Sequence, residues 1–206
     1  GVPAYKIAPP HAPGTDLSGV VEETGEGVTA VRPGDAVVAY PIQACGACAE
    51  CRAGRENLCP AKTVVGAGPR WGGYAGRVVL PAADLLPKPE RLSWEEAAAI
   101  PVTFLTAWNM LVTQAGLRAG QSVLVIAAGS GVGTAATAIA RHLGARVFGT
   151  ASTEAKRARV KAAGAEAVFN HREEDFWKRV RDATGGRGAD VVVEHVGPAA
   201  FKGALQ

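Results

Sequence analysis

From residue 122 onward the chain alternates short β-branched apolar runs with Ala-rich or charged amphipathic stretches, and few folds accommodate that order. The pattern predicts strands over 122–127, 146–150, 167–170 and 190–194. Helices are predicted between them, from about 131 to 143, over 153–163 and over 173–183. Strands separated by helices of this length require right-handed crossovers, so the strands lie parallel in one sheet. The last segment, 198–206, reads as the opening of a further helix.

The first strand runs into Ala127-Ala128-Gly129-Ser130-Gly131-Val132-Gly133 and then an Ala-rich helix. Small residues between a strand and a helix let backbone amides and the helix N-terminus approach a pyrophosphate, which makes Gly129, Ser130, Gly131, Val132 and Gly133 candidate cofactor-binding residues. The strict G-x-G-x-x-G pattern is not met, because its glycine positions, aligned on Gly133, hold Ala128, Ser130 and Gly133. A tight turn without a ligand is the competing reading. About 20 residues on, a fold that prefers NAD offers an acid to the ribose 2′-hydroxyl. Here the second strand ends Gly149-Thr150-Ala151-Ser152, with Lys156 and Arg157 in the next helix. A hydroxyl at Ser152 and a cation at Lys156 suit a 2′-phosphate, so NADP(H) is favoured over NAD(H). Glu154 could still serve as the acid, and the two cations could be a solvated helix face.

All four cysteines fall between positions 45 and 59, too clustered for a disulfide framework. Cys45, Cys48, Cys51 and Cys59 follow C-x2-C-x2-C-x7-C, which aims three thiolates at one point while the fourth closes a tetrahedron. Four sulfurs complete the shell of one Zn²⁺, leaving no place for water or substrate, so the expected metal is a single structural zinc per chain. An iron–sulfur cluster is the sharpest competitor, but a ferredoxin-type run has three residues before its last cysteine rather than seven. Four unmetallated cysteines are the bland alternative.

The region ahead of residue 93 reads as β-rich, with strands predicted over 17–24, 36–40 and 74–80 and a turn at Arg32-Pro33-Gly34-Asp35. Ser93-Trp94-Glu95-Glu96 matches a capping box that opens a helix to about Ile100. The boundary between the two regions falls between 90 and 118. The 22 basic and 19 acidic residues are scattered without a long run of one sign, giving a net charge of +3, and no apolar stretch reaches membrane length. Nucleic-acid and membrane partners are therefore not expected, a small-molecule substrate is, and the expected location is cytoplasmic.

With both motifs placed, the chain resembles the medium-chain dehydrogenase/reductases. The resemblance rests on Gly19-Val20-Val21-Glu22, Gly25-Glu26-Gly27-Val28, Pro33-Gly34-Asp35, the cysteine lobe ending Asn57-Leu58-Cys59-Pro60, and Gly72-Gly73-Tyr74-Ala75. It continues through Glu95-Glu96-Ala97-Ala98-Ala99-Ile100-Pro101 and the Gly-rich loop. It implies an α/β architecture in two domains. Residues 1–95 would be a GroES-like domain lacking its N-terminal part, with a zinc lobe at 44–60. Residues 96–206 would be a doubly wound, parallel-sheet Rossmann domain lacking its C-terminal part, so that the chain is a fragment of a longer protein. A homodimer or homotetramer is implied as well.

Zinc alcohol dehydrogenases of this family take a catalytic ligand from a Gly-His-Glu stretch, where this sequence has Gly14-Thr15-Asp16, and another from a Cys expected near 101–103, where none occurs. No catalytic zinc is therefore expected, and His11 reads as a polar loop residue rather than a displaced ligand. The resemblance also places His171 beside the adenosine phosphate, and Gly197, with His195, at the sheet edge where nicotinamide binds. Thr103 and Thr106 become candidates for cofactor or substrate contact, although helix-interior threonines bonded to their own backbone would look the same. No catalytic residue is assigned. The function implied is NAD(P)H-dependent hydride transfer to or from a small carbonyl, quinone or enone. A zinc-dependent alcohol dehydrogenase with atypical ligands, and a relative that binds cofactor without turnover, are the alternatives.

Overall fold

The computed structural model describes residues 7, 9–172 and 175–205. The chain divides into two compact units, Gly1–Val102 and Thr103–Gln206.

The first unit holds an antiparallel sheet of β1 (Ser18–Val20), β2 (Ala36–Ala39) and β5 (Leu85–Pro87), with Ser18 opposite Val38 and Val38 opposite Leu86. Gly34 donates to the Val21 carbonyl and Asp35 to the Arg32 carbonyl, so the expected turn feeds β2 into register. A second antiparallel pair, β3 (Ile42–Gln43) and β4 (Thr63–Val64), closes the ends of the cysteine segment, within which lies the short helix α1 (Ala49–Arg52). Helix α2 (Trp94–Ala98) starts as its sequence requires: Ser93 Oγ accepts the Glu96 amide at 3.1 Å and Glu96 Oε2 accepts the Ser93 amide at 2.9 Å.

Two expectations for this unit need correction. The strand expected over 17–24 is shorter, Ser18–Val20. The one expected over 74–80 does not form. A strand persists only where a neighbour takes its backbone groups, and the amides of Gly72, Gly73 and Tyr74 instead donate to the carbonyls of Ala12, Gly14 and Pro13. No strand lies beside 75–80 among the described residues, and Tyr74 and Val79 are exposed rather than turned into a core.

The second unit opens on α3 (Pro101–Trp108), whose first two residues belong to the first unit and whose path continues as a π-helical turn, Asn109–Gln114. Then come β6 (Ser122–Val125), α4 (Gly131–His142), β7 (Arg146–Thr150), α5 (Glu154–Ala162), β8 (Ala167–Phe169), α6 (Phe176–Ala183), β9 (Val191–Val193) and α7 (Pro198–Ala204). The helix expected from 173 starts at Phe176, capped by Asp175, and residues 173–174 lie outside the described residues, as does 206. The four strands are parallel in the order β8-β7-β6-β9. β6 is buried throughout, and alternation splits its side chains between two cores. Val123 and Val125 pack with Val147, Val193, Ala135 and Leu111 on one face, and Leu124 and Ile126 with Phe148, Phe169 and Val180 on the other. Helices therefore cover both faces, the doubly wound arrangement. Among the described residues no helix is long and apolar enough to cross a membrane.

The chain builds β6, β7 and β8 outward and then returns to place β9 on the other side of β6. The order reverses at that point, opening a crevice at the carboxyl ends of β6 and β9. The start of this pair is fixed by Asp190, whose Oδ2 accepts both the amide and the hydroxyl of Ser122 at 2.7 Å, while its own amide donates to Ser122 Oγ at 3.0 Å. Those bonds from Ser122 hold the Asp190 carboxyl below the ordinary carboxylate range. Asp190→Ala strands the buried amide and hydroxyl of Ser122 and is expected to cost about 1–3 kcal/mol by denaturant unfolding. Because the folded pKa is depressed, the stability Asp190 contributes is present above its unfolded pKa and is lost as pH falls through the folded one, so the deficit of the variant should shrink in acid.

Candidate functional site

Two clusters of expected site residues assemble, one in each unit. In the first, the sulfurs of Cys45, Cys48, Cys51 and Cys59 all lie within 4.8 Å of one another. Cys48 and Cys51 sulfurs are 3.4 Å apart, and those of Cys45 and Cys51 3.9 Å. Four sulfurs at about 2.3 Å from one tetrahedral Zn²⁺ would stand about 3.8 Å apart, so the spacing is compatible with that ion. Local backbone sets it up. Cys48 is the N-cap of α1 and its sulfur accepts the Cys51 amide at 3.5 Å, while the Cys45 amide donates to the Cys59 sulfur at 3.5 Å. An ion pair from Arg55 to Glu50, 2.7 Å, braces the loop beyond α1.

The thiols differ in character. Backbone amides of Ala47 and Cys48 directed at Cys45 lower its pKa to about 6, whereas burial, reinforced by Cys48, pushes Cys51 up to about 12. A cation at the centre is what would let all four hold the thiolate form together. Among the described residues this is the one group of three or more His, Cys, Asp or Glu side chains whose donor atoms converge.

Gly14-Thr15-Asp16, the stretch compared above with a catalytic ligand segment, is committed to structure. Asp16 Oδ1 accepts the Val102 amide at 3.1 Å, beside the start of α3, and His11 Nε2 donates to the Gly66 carbonyl at 3.0 Å.

In the second unit the Gly-rich loop joins β6 to α4. A Cβ on Gly133 would stand 2.6 Å from the Ala128 Cα and closer still to the Ala127 carbonyl oxygen, so only glycine lets the helix seat this near the strand end. Ser130 caps α4, its Oγ accepting the Gly133 amide at 3.1 Å and its carbonyl the Thr134 amide at 2.8 Å. The Gly131 and Val132 amides, in the first turn, are left among the described residues without a protein acceptor. Ala127, at φ 52°, makes the turn in a left-handed conformation, with its amide given to Thr150 Oγ1 at 3.0 Å.

Several expected residues gather at this loop. The Thr103 methyl on α3 is 3.0 Å from where a Gly131 Cβ would be, and the Lys156 side chain lies along Gly129, at 3.1 Å from its Cβ position. Ser152 sits between the end of β7 and the start of α5. Arg157 is ion-paired with Glu154 at 2.5 Å, so this acid, which follows β7, is engaged by its neighbour. His171 is exposed in the turn after β8, and among the described residues no hydrogen bond or ion pair joins it to the loop. Gly197 precedes α7 and donates its amide to Glu194 Oε1 at 2.7 Å. Two contributors went unassigned from sequence, Thr150 under Ala127 and the left-handed Ala127 itself, while His195, expected with Gly197 at the sheet edge, has its Nε2 3.2 Å from Ser130 Oγ.

Comparison with known proteins identifies the family. The family model for the alcohol dehydrogenase GroES-like domain matches residues 2–90, and that for zinc-binding dehydrogenases matches 131–206. The chain belongs to the medium-chain dehydrogenase/reductase superfamily. Within the superfamily it is 33% identical to a quinone oxidoreductase of Rattus norvegicus, covering 94% of this chain and 51% of that protein. It is 36% identical to a crotonyl-CoA reductase of Streptomyces avermitilis, over 94% of this chain and 47% of the relative. A solved NAD-dependent alcohol dehydrogenase superposes with a TM-score of 0.93 at 52% identity, covering 97% of this chain and 58% of that one. The chain thus spans about half the length of the curated relatives it matches.

The seat of α4 makes a contrast testable. Gly133→Ala must push the helix off the strand end and is expected to lose about 1–3 kcal/mol by denaturant unfolding. Ala127→Gly relieves a left-handed alanine and should leave stability unchanged or raise it by up to about 1 kcal/mol.

Proposed function

We propose that this chain carries the cofactor-binding and zinc-lobe regions of an NADP(H)-dependent oxidoreductase that moves hydride to or from a small carbonyl, quinone or enone. The observation that supports the reading most is the loop at the switch point. Gly133 tolerates no Cβ, and the Gly131 and Val132 amides, without a protein acceptor among the described residues, are available to a pyrophosphate. A bound nicotinamide supplies or accepts the hydride. The chain's own residues bind and orient it: the two amides and the Ser130-capped helix end hold phosphate, Thr103 lies against the loop, and Lys156 beside Gly129 answers a 2′-phosphate. Ser152 at the end of β7 is the accompanying hydroxyl, while His171 and Gly197 are the outlying members of the same assignment.

Four cysteines with this spacing are inferred to hold one structural zinc. Thr15, with the Asp16 carboxylate and the His11 imidazole already engaged by backbone partners, favours a reading without a catalytic zinc. Polarisation of the substrate then falls to hydroxyls and backbone amides.

A second reading has one observation in its favour. The solved relative at 52% identity is described as an NAD-dependent alcohol dehydrogenase, and Glu154 lies close enough to the end of β7 to meet a ribose diol once released from Arg157.

Elemental analysis of purified chain is expected to give one zinc, and two would favour the alcohol dehydrogenase reading. Cofactor titration followed by nicotinamide fluorescence should show tighter binding of NADPH than NADH. Lys156→Ala should weaken NADPH about tenfold, the loss of one charge-assisted hydrogen bond, and leave NADH nearly unchanged. Equal loss for both cofactors would place Lys156 elsewhere. Oxidation of NADPH by a panel of quinones and enones then tests turnover, and binding without oxidation of any panel member would contradict the enzymatic reading.

A further inference from the structure

His195 reaches from the end of β9 to the phosphate loop, and no local structural need accounts for it. The turn after β9 is tied without the imidazole, because Glu194 Oε1 accepts the amides of Val196 at 2.6 Å and Gly197 at 2.7 Å. The side-chain cap of α4 likewise forms without the imidazole, since Ser130 Oγ already accepts the Gly133 amide. His195 is exposed, so it fills no core either. What it does is lie 3.2 Å from Ser130 Oγ, joining the ends of the two strands that bound the switch-point crevice.

We propose that His195 is a phosphate-gripping residue for the dinucleotide, an inference that rests on the cofactor reading above. A hydroxyl that already accepts one amide keeps a second lone pair and its own proton, so Ser130 can hold Nε2 in either tautomer. An Nε2–H directed at that neutral oxygen gains strength on exchanging it for an anionic one. The Gly131 and Val132 amides grip from the loop and the helix end, and His195 adds a side-chain donor from the opposite strand. The ligand class is a 5′-phosphate or pyrophosphate of an adenine nucleotide, and the contribution of His195 is confined to that group.

The test compares the full chain with its His195→Ala and His195→Gln variants, titrated calorimetrically with NADPH, ADP and adenosine, alongside the ligand-free unfolding temperature. Wild type should bind NADPH and ADP. His195→Ala should weaken both about tenfold, the loss of one hydrogen bond to a charged group. Adenosine, which has no phosphate, should bind all three proteins alike, and His195→Gln, which keeps an N–H donor, should recover most of the loss. Should His195→Ala lower the ligand-free unfolding temperature, the Gln variant decides, with near-wild-type ADP affinity supporting the role and a tenfold loss overturning it. Unchanged ADP affinity in His195→Ala, or parallel loss of adenosine, overturns the role of His195 while wild-type NADPH binding keeps the cofactor reading intact. A wild-type chain that binds neither NADPH nor ADP overturns both.

Discussion

The close approach of α4 to the end of β6 at Gly133 governs the geometry of the loop around it. A helix that near a strand must be small on its inner face, and Ala135, Ala136 and Ala140 are fully buried there. The same seat fixes the direction of the first turn, so Ser130 can cap it while the next two amides stay open. Thr103, Lys156 and His195 come to the loop from α3, α5 and the end of β9, elements whose positions the sheet sets. A methyl group at Gly133 would disturb each of these relations by displacing one helix.

The first unit depends on a different kind of constraint. Its strands are two to four residues long, too short to enclose a large core, and the cysteine segment is held by the small β3–β4 pair at its ends and by sulfur at its centre. Opposed influences act on the thiols: amides favour the thiolate at Cys45, and burial resists it at Cys51. A divalent cation reconciles them by offsetting the charge that burial penalises, which is the physical reason such a lobe and its metal belong together.

Much of this was legible in the residues. Strands β6 to β9 and helices α4 to α6 lie close to where apolar runs and caps placed them, because Ser130, Thr153 and Asp175 each accept an amide three residues on. The cysteine spacing foretold convergence, since a short loop leaves the sulfurs few other arrangements. What escaped was non-local or unpatterned. The helix α3 opens on Pro101, and it and its π turn scatter Thr103, Thr106, Asn109 and Thr113 among apolar residues, so no clear periodicity marks them. The run 74–80 has the composition of a strand but no neighbour among the described residues. The Ser130–His195 contact spans 65 positions, and Thr103 meets Gly131 only after the sheet has formed.

We propose that the open amides at the start of α4 receive an adenine nucleotide's phosphate. Amide-resolved NMR of the isotope-labelled chain, with ADP added stepwise, tests it most directly. The largest shift changes are expected at the Gly131 and Val132 amides, saturating together. Saturable binding that leaves those two amides unmoved, while others away from the loop shift, would contradict it.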